Sequence, residues 1–414
     1  MSKKVLTLSF ILLAVVAMIA APIHVAVAQD PTPTEEPLPS TEGVLTVWVN
    51  LERAPIIEAA GKAFEEKYGI PVRVQTMGFG DVRNNFNIAA PAGKGPDIIA
   101  GAHDWVGQLY GNGLLAPIEL TPEVAEKFDA GALELFNYDG KLVGLPYQVE
   151  AIAMYYNKDL VTEVPETLDE AVALSEALVK DGKVEQGIAF PTDPYHTFPL
   201  FSMYGGGVFG RDAEGNYDPT NVLLDSEGTI AGAMKIDELV KAGVLRDGVD
   251  YGKQSDLFKA GKLAMWVTGP WELNNLRTAG VNFGVAKIPA GTQAAAPFIG
   301  GQGFMVNAFS KNLLLAQAFL TEFVASDEVQ DALFDAAPGI SAWLATRESK
   351  KDDDLSMFAL SVADGQPMPT IPQMAAFWST AGNAVTLIYQ QKGDPAEIMK
   401  EAATAAREEI AKSK

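Results

Sequence analysis

From residue 45 onward the chain switches repeatedly between two hydrophobic periods. LTVWV (45–49) alternates apolar and polar positions and predicts a strand. Pro55 then suits the first turn of a helix, which IIEAAGKAFEEKY carries to a stop at Gly69 with Pro71 just beyond. VRVQT (72–76) predicts the next strand, and PDIIAG (96–101), apolar on both faces, predicts a central parallel one. Thr167 and Glu170 form a capping box before AVALSEALVK, and Gly182 marks its end. LAMWVT (263–268) predicts a strand that runs into Gly269-Pro270 and a new helix. Ser310 is the expected cap of LLLAQAFLTEFV, whose Ala316, Phe319, Leu320 and Phe323 share one face. Asp394, Pro395 and Glu397 open a C-terminal helix, while Trp48 and Trp266 sit inside strands and are expected core. Strands alternating with helices imply an α/β protein with mainly parallel sheets, and the length suits two of them.

The first 43 residues follow neither period. Lys3 and Lys4 precede a long apolar stretch, and Ala26 and Ala28 give a small-x-small cleavage pattern. Residues 1–28 therefore read as a signal peptide of an exported protein, an uncleaved anchor being the alternative. QDPTPTEEPLPSTEG (29–43) is Pro-, Thr- and Glu-rich and predicts an extended, disordered spacer. No later segment is long and apolar enough to span a bilayer. The sequence holds no cysteine, which excludes disulfides, a thiolate nucleophile and a lipid-modified Cys. The 53 acidic residues against 31 basic ones give a net charge of −22, which repels phosphate backbones and argues against nucleic acid.

In open α/β sheets, ligands bind beyond the carboxyl ends of the strands. Glu52 and Arg53 follow the first strand, Asp104 and Trp105 the third, and Trp271 the LAMWVT strand. Two carboxylates, a guanidinium and two indoles suit a pyranose, which has hydroxyls on its rim and C–H bonds on its faces. Taken singly, an indole at a strand end packs at an edge and an Asp there caps a helix. Their coincidence at three ends is what points to a ligand.

Five stretches carry a resemblance: GPDIIAGAHDW (95–105), YNKDL (156–160), GPW (269–271), PFIGGQGFMVNAFSKN (297–312) and IPQMAAFW (371–378). From about Leu45 to the C-terminus the chain resembles the maltose/maltodextrin-binding proteins of bacterial ABC importers. The GAHDW form is closest to members from Gram-positive and thermophilic bacteria that bind longer maltodextrins or cyclodextrins. The resemblance implies a two-lobed periplasmic-binding-protein fold with discontinuous lobes and an interlobe ligand cleft. One lobe would be 44–148 plus 304–349, the other 150–299 plus 356–414. It carries polar sugar contacts onto Glu52, Arg53, Asp104, Glu150 and Asp193, and stacking platforms onto Tyr195, Trp271 and Trp378. Glu52, Arg53 and Asp193 replace an Asp, a Lys and a Glu of the best-known enteric member. Gly101 stands where the family has a Trp, Trp105 where it has an Arg, and Gly382 where it has another Arg. Trp105 is expected to restore a platform from a neighbouring direction. The implied function is capture of maltose or maltodextrins by lobe closure and delivery to membrane permease subunits, by a monomer without cofactor or metal. Another oligosaccharide such as a cyclodextrin is the alternative.

Other motifs carry less. GGGVFG (205–210) matches a dinucleotide fingerprint but has no strand before it, and a turn is expected. RDAEGNYDPTN (211–221) lacks the final Glu of a calcium loop. His103 and His196 are far apart for a zinc pair, and His103 is expected to be a structural hydrogen-bonder. The rival class is a glucan-acting glycoside hydrolase, which needs only two carboxylates at a set separation, and a glucan adhesin is a third. No hydrolase motif supports an enzyme.

Overall fold

The computed structural model describes residues 37–351 and 353–412. The expected signal peptide and residues 29–36 of the expected spacer lie outside these.

The first sheet has eight strands, built around Leu45–Val49, every residue of which is buried. That strand pairs in parallel with Val72–Thr76 on one side and Ile98–Ala102 on the other. The sheet continues through the long strand Phe298–Asn307, which runs antiparallel to Ile98–Ala102, Leu115–Ala116 and Leu145–Glu150. Ile340–Ser341 adds an antiparallel edge. The second sheet orders Phe283–Ala286, Ala153–Asn157, Leu263–Thr268 and Gln186–Ala189, and only the last pair is parallel. The mainly parallel expectation is thus corrected to two mixed sheets. A parallel partner needs a crossover helix, whereas Phe298–Asn307 enters the first sheet directly from the other body and lies antiparallel.

Local signals hold where side chains act on their own backbone. The helix Ala54–Tyr68 ends at Gly69, whose φ of 69° is left-handed. Ile57 and Phe64 on its inner face are fully buried, and Phe64 meets Phe319 edge-on at 5.4 Å. Burial of such side chains stabilises by about 1.5–3 kcal/mol each. Thr167 and Glu170 form the capping box of Leu168–Lys180, and Asp394 accepts from the N–H groups of Ala396 and Glu397. Ser310 is not a cap: it donates to Asp97 and accepts from Asn312 N–H, and Asn312 itself begins the helix Leu313–Ala318. That helix widens to π geometry over Phe319–Val324, yet Ala316, Phe319 and Leu320 still face inward. Trp48 and Trp266 are fully buried, as expected.

Residues 37–43, expected within the disordered spacer, are laced onto the first sheet. Leu38 N–H donates to Gln75 and its carbonyl accepts from Trp48 Nε1. Ser40 donates to the fully buried Asp97, which also accepts from Thr46 N–H, Ser310 and Asn312. Composition reads this stretch as free chain because it has no apolar period, but polar bonds, not burial of apolar surface, hold it.

The two sheets are joined by short passages. Leu145–Glu150 ends in the first sheet and Ala153–Asn157 begins in the second, with buried Ala151 and Ile152 between. Phe298–Asn307 makes the return, and Gln366–Pro367 pairs with its start.

Candidate functional site

The strand Leu45–Val49 delivers Glu52 and Arg53 to the start of the helix Ala54–Tyr68. Arg53 is 6% exposed and its guanidinium lies 4.7 Å from the centre of the Tyr147 ring. Its Nε is buried and meets no hydrogen-bond partner. Glu52 stays exposed and accepts from Asn50 at 2.6 Å.

At the end of Ile98–Ala102, His103 is fully buried, and its Nδ1 accepts from Gly301 N–H while Nε2 faces the Met368 carbonyl at 3.3 Å. These partners fix the neutral ring with the proton on Nε2. Burial pushes its pKa down, opposed by Asp104 and these backbone bonds. This is the structural role expected. Asp104 is 6% exposed and accepts from Trp378 Nε1 at 2.9 Å. It precedes the helix Trp105–Gly111 but makes no side-chain cap bond. Burial raises its carboxyl above the ordinary value, with His103, Trp378 and Arg83 pulling the other way. Glu150, at the end of Leu145–Glu150, accepts from Gln148 at 2.8 Å and Gln302 at 3.0 Å. Burial raises it too, against Gln302, Arg53, Gln148 and His196.

The second body supplies rings. Tyr195 begins the helix Pro194–Ser202, with its ring centre 6.4 Å from Trp271 and 6.3 Å from Phe298. Its hydroxyl is buried without a partner. Burial pushes its pKa well up, and Glu150, Asp193 and Asp104 add to the shift. Trp271 lies in the turn Pro270–Glu272, folded back over Gly269, where a Cβ would come within 2.0 Å of the ring. Its Nε1 donates to Tyr251 at 2.6 Å, and Tyr251 donates to Glu272 at 2.7 Å. Trp378 projects from the helix Met374–Tyr389, and its ring centre is 5.9 Å from Phe298.

Two expected site residues take other roles. Asp193 was carried over as a sugar contact, but Oδ1 accepts from the N–H groups of Tyr195 and His196, and Oδ2 from His196 Nδ1 at 2.7 Å. Burial raises its pKa, but the His196 ring and these hydrogen bonds outweigh that and leave it below the ordinary value. It is a helix cap and a histidine holder. Trp105 was expected to offer an open platform, but it is 5% exposed and packs with Val106, Leu109 and Met305. Its ring lies over Gly101, where a Cβ would fall 2.1 Å from a ring carbon, and 4.9 Å from Phe79. The residue missing at Gly101 and the indole gained at Trp105 thus compensate in volume, inside the core.

Sequence reasoning missed Tyr147 beneath Arg53, Tyr251 behind Trp271, and Phe298 at the centre of the rings. Phe298 stacks on Phe198 at 3.7 Å and is 1% exposed. Its place beside GGQGF was a signal; the others lay in unremarked segments. Among the described residues no cluster of three or more His, Cys, Asp or Glu could hold a metal ion. A cavity of about 550 Å³ beside Tyr156, Lys287 and Met357 includes none of the site residues.

Charged groups at strand ends of one sheet thus meet an aromatic shelf from another, which is the design of a two-lobed ligand-binding protein. The chain belongs to the family of bacterial extracellular solute-binding proteins, whose profile matches residues 59–357. It is 30% identical over 378 residues to a galactooligosaccharide-binding protein of Bacillus subtilis, covering 88% of this chain and 89% of that protein. It is 31% identical over 315 residues to a maltotriose-binding protein of Pyrococcus abyssi, covering 74% and 68% respectively. It is also 30% identical over 381 residues to a maltooligosaccharide ABC transporter solute-binding lipoprotein of Streptococcus pneumoniae, covering 88% of each.

Proposed function

We propose that this protein captures maltooligosaccharides between its lobes and presents them to the permease subunits of an ABC importer. The carrying observation is the Asp104–Trp378 bond, which joins a first-sheet strand end to the aromatic shelf; the buried, unpartnered Tyr195 hydroxyl and Arg53 Nε are further groups a ligand could satisfy. Carboxylates and a guanidinium on one side bind sugar hydroxyls, and Tyr195, Trp271 and Trp378 cover pyranose faces on the other. Ligand held by one lobe favours closure because the closed state adds the contacts of the second. Lobes of 44–148 plus 304–349 and 150–299 plus 356–414 belong to this reading, with export and a monomeric state. Several contacts together reach the roughly 8 kcal/mol of micromolar affinity, which no single one supplies.

A galactooligosaccharide ligand is the second reading, on the strength of the Bacillus relative. Calorimetry with maltotriose, maltotetraose, a cyclodextrin and a galactotriose separates the two. Binding of galactotriose alone would replace the first reading. Incubation with a maltodextrin ladder tests the hydrolase alternative, because a binder leaves the ladder unchanged.

A further inference from the structure

Asp193 and His196 form a unit that the transferred sugar contacts do not explain. Both carboxylate oxygens of Asp193 already accept from its own helix start: Oδ1 from the Tyr195 and His196 N–H groups, and Oδ2 from His196 Nδ1. A carboxylate only accepts, so it places the proton of the neutral ring on Nδ1 and leaves Nε2 with a lone pair. His103 is held in the opposite tautomer by Gly301 N–H and the Met368 carbonyl. The two histidines present different faces because their neighbours differ.

The free nitrogen is not in solvent. His196 is 8% exposed, and Nε2 is buried with no hydrogen-bond partner. A buried acceptor without a donor is costly, and native folds rarely leave one unless it has a function. The ring stands edge-on between two proposed platforms, 5.2 Å from the Tyr195 ring at 86° and 6.0 Å from the Trp271 ring at 85°. The acceptor therefore lies among the groups that would surround a pyranose.

We propose that His196 Nε2 accepts a hydrogen bond from a sugar hydroxyl, and that Asp193 is the positioning residue that holds the neutral ring in the Nδ1–H tautomer and so aims the Nε2 lone pair at the ligand. The assignment rests on the oligosaccharide reading above. It gives the site selectivity for a hydroxyl at one ring position, since a deoxy sugar would leave the nitrogen unpaired. It also gives Asp193 a role in recognition without contact to ligand.

The variants separate this from a structural role. Asp193→Asn keeps a carbonyl to cap the helix but turns an amide N–H toward Nδ1, which moves the ring proton to Nε2. His196→Phe keeps the ring and removes both nitrogens. Each is expected to weaken maltotriose binding about tenfold, with the apo melting temperature little moved. The double variant is expected to bind no worse than either single one, because Asp193 acts through His196. Wild-type affinity in His196→Phe, or losses that multiply in the double variant, would overturn the proposal. Nitrogen NMR of the wild-type rings adds a readout independent of any variant's folding. It should report His196 with its proton on Nδ1 and an Nε2 resonance that moves on adding maltotriose; a proton on Nε2 overturns the assignment. If wild-type protein binds galactotriose and not maltotriose, the ligand reading falls, and the same variants titrated with that sugar are judged by the same rule. If it binds neither, both fall.

Discussion

Trp378→Phe isolates one hydrogen bond between the two bodies. Trp378 Nε1 donates to Asp104 Oδ2 at 2.9 Å, from a helix packed in the second body to the end of a first-sheet strand. Phe retains most of the flat surface and loses the N–H. Asp104 is 6% exposed, so its carboxylate gives up water for this donor. A hydrogen bond to a charged group contributes about 1.5–3 kcal/mol, and each 1.4 kcal/mol is tenfold. If sugar binding draws the two sheets together around this bond, its loss falls on closure and reads as roughly ten- to 150-fold weaker binding. Calorimetry with maltotriose measures this, and small-angle scattering with and without sugar reports whether the body still contracts. Asp104→Asn keeps a neutral acceptor and should cost less than Asp104→Ala. Affinity of Trp378→Phe within twofold of wild type would refute the reasoning. So would losses that multiply in the Asp104→Ala, Trp378→Phe pair, because partners in one bond cannot each lose it separately.

Trp271→Ala should weaken maltotriose binding at least tenfold while moving the apo melting temperature only a few degrees, since the ring is only partly buried. Trp105→Ala should do the reverse, costing about 3–5 kcal/mol in urea unfolding as for other buried indoles and leaving the ratio of maltose to maltotetraose affinity unchanged. Asp104 and Glu150 are raised by burial above 3.8 and 4.5, so they protonate earlier than ordinary carboxyls as pH falls. Sugar affinity should therefore start to fall above the ordinary carboxylate range. Through these same two groups the apo protein loses a burial penalty as pH falls through the raised values, so affinity and apo stability move in opposite directions on acidification. Titration calorimetry and urea melts across that range check both signs. Protein beginning at Pro37 should melt like the full chain, whereas protein beginning at Val44 should be less stable by about 1.5–3 kcal/mol, because buried Asp97 loses the Ser40 donor.

The sequence made legible what depends on neighbours in the chain. Gly69, the Thr167–Glu170 box and the Asp394 cap act on backbone within a few residues, and buried Trp48 and Trp266 follow from strand periodicity. The strand ends were legible for the same reason, since the carboxyl end of a strand is known once the strand is. Strand direction was not, because Phe298–Asn307 pairs with partners some two hundred positions away. The two site residues whose local setting differs from the expectation share a cause. A motif transfers a residue type to a position but says nothing of where its lone pairs or ring face point. Asp193 spends its oxygens on its own helix, and Trp105 falls into the space above Gly101. Residues 37–43 failed differently: composition weighs apolar burial and misses a segment held by Asp97.

That lacing decides how the molecule carries load. Tension arriving along the chain from before Pro37 meets Leu38 on Gln75 and Trp48, then Ser40 on Asp97. Asp97, just before Ile98–Ala102, hands it on to Thr46 in Leu45–Val49 and to Ser310 and Asn312 just after Phe298–Asn307, so the load spreads over three strands of one sheet. None of these anchor points belongs to the second sheet or to Tyr195, Trp271 or Trp378. The arrangement works like the strain relief on an electrical cable, taking a tug before it reaches the working joint. A pull applied at Pro37 would therefore reach first the sheet whose strand ends hold Glu52, Arg53, Asp104 and Glu150.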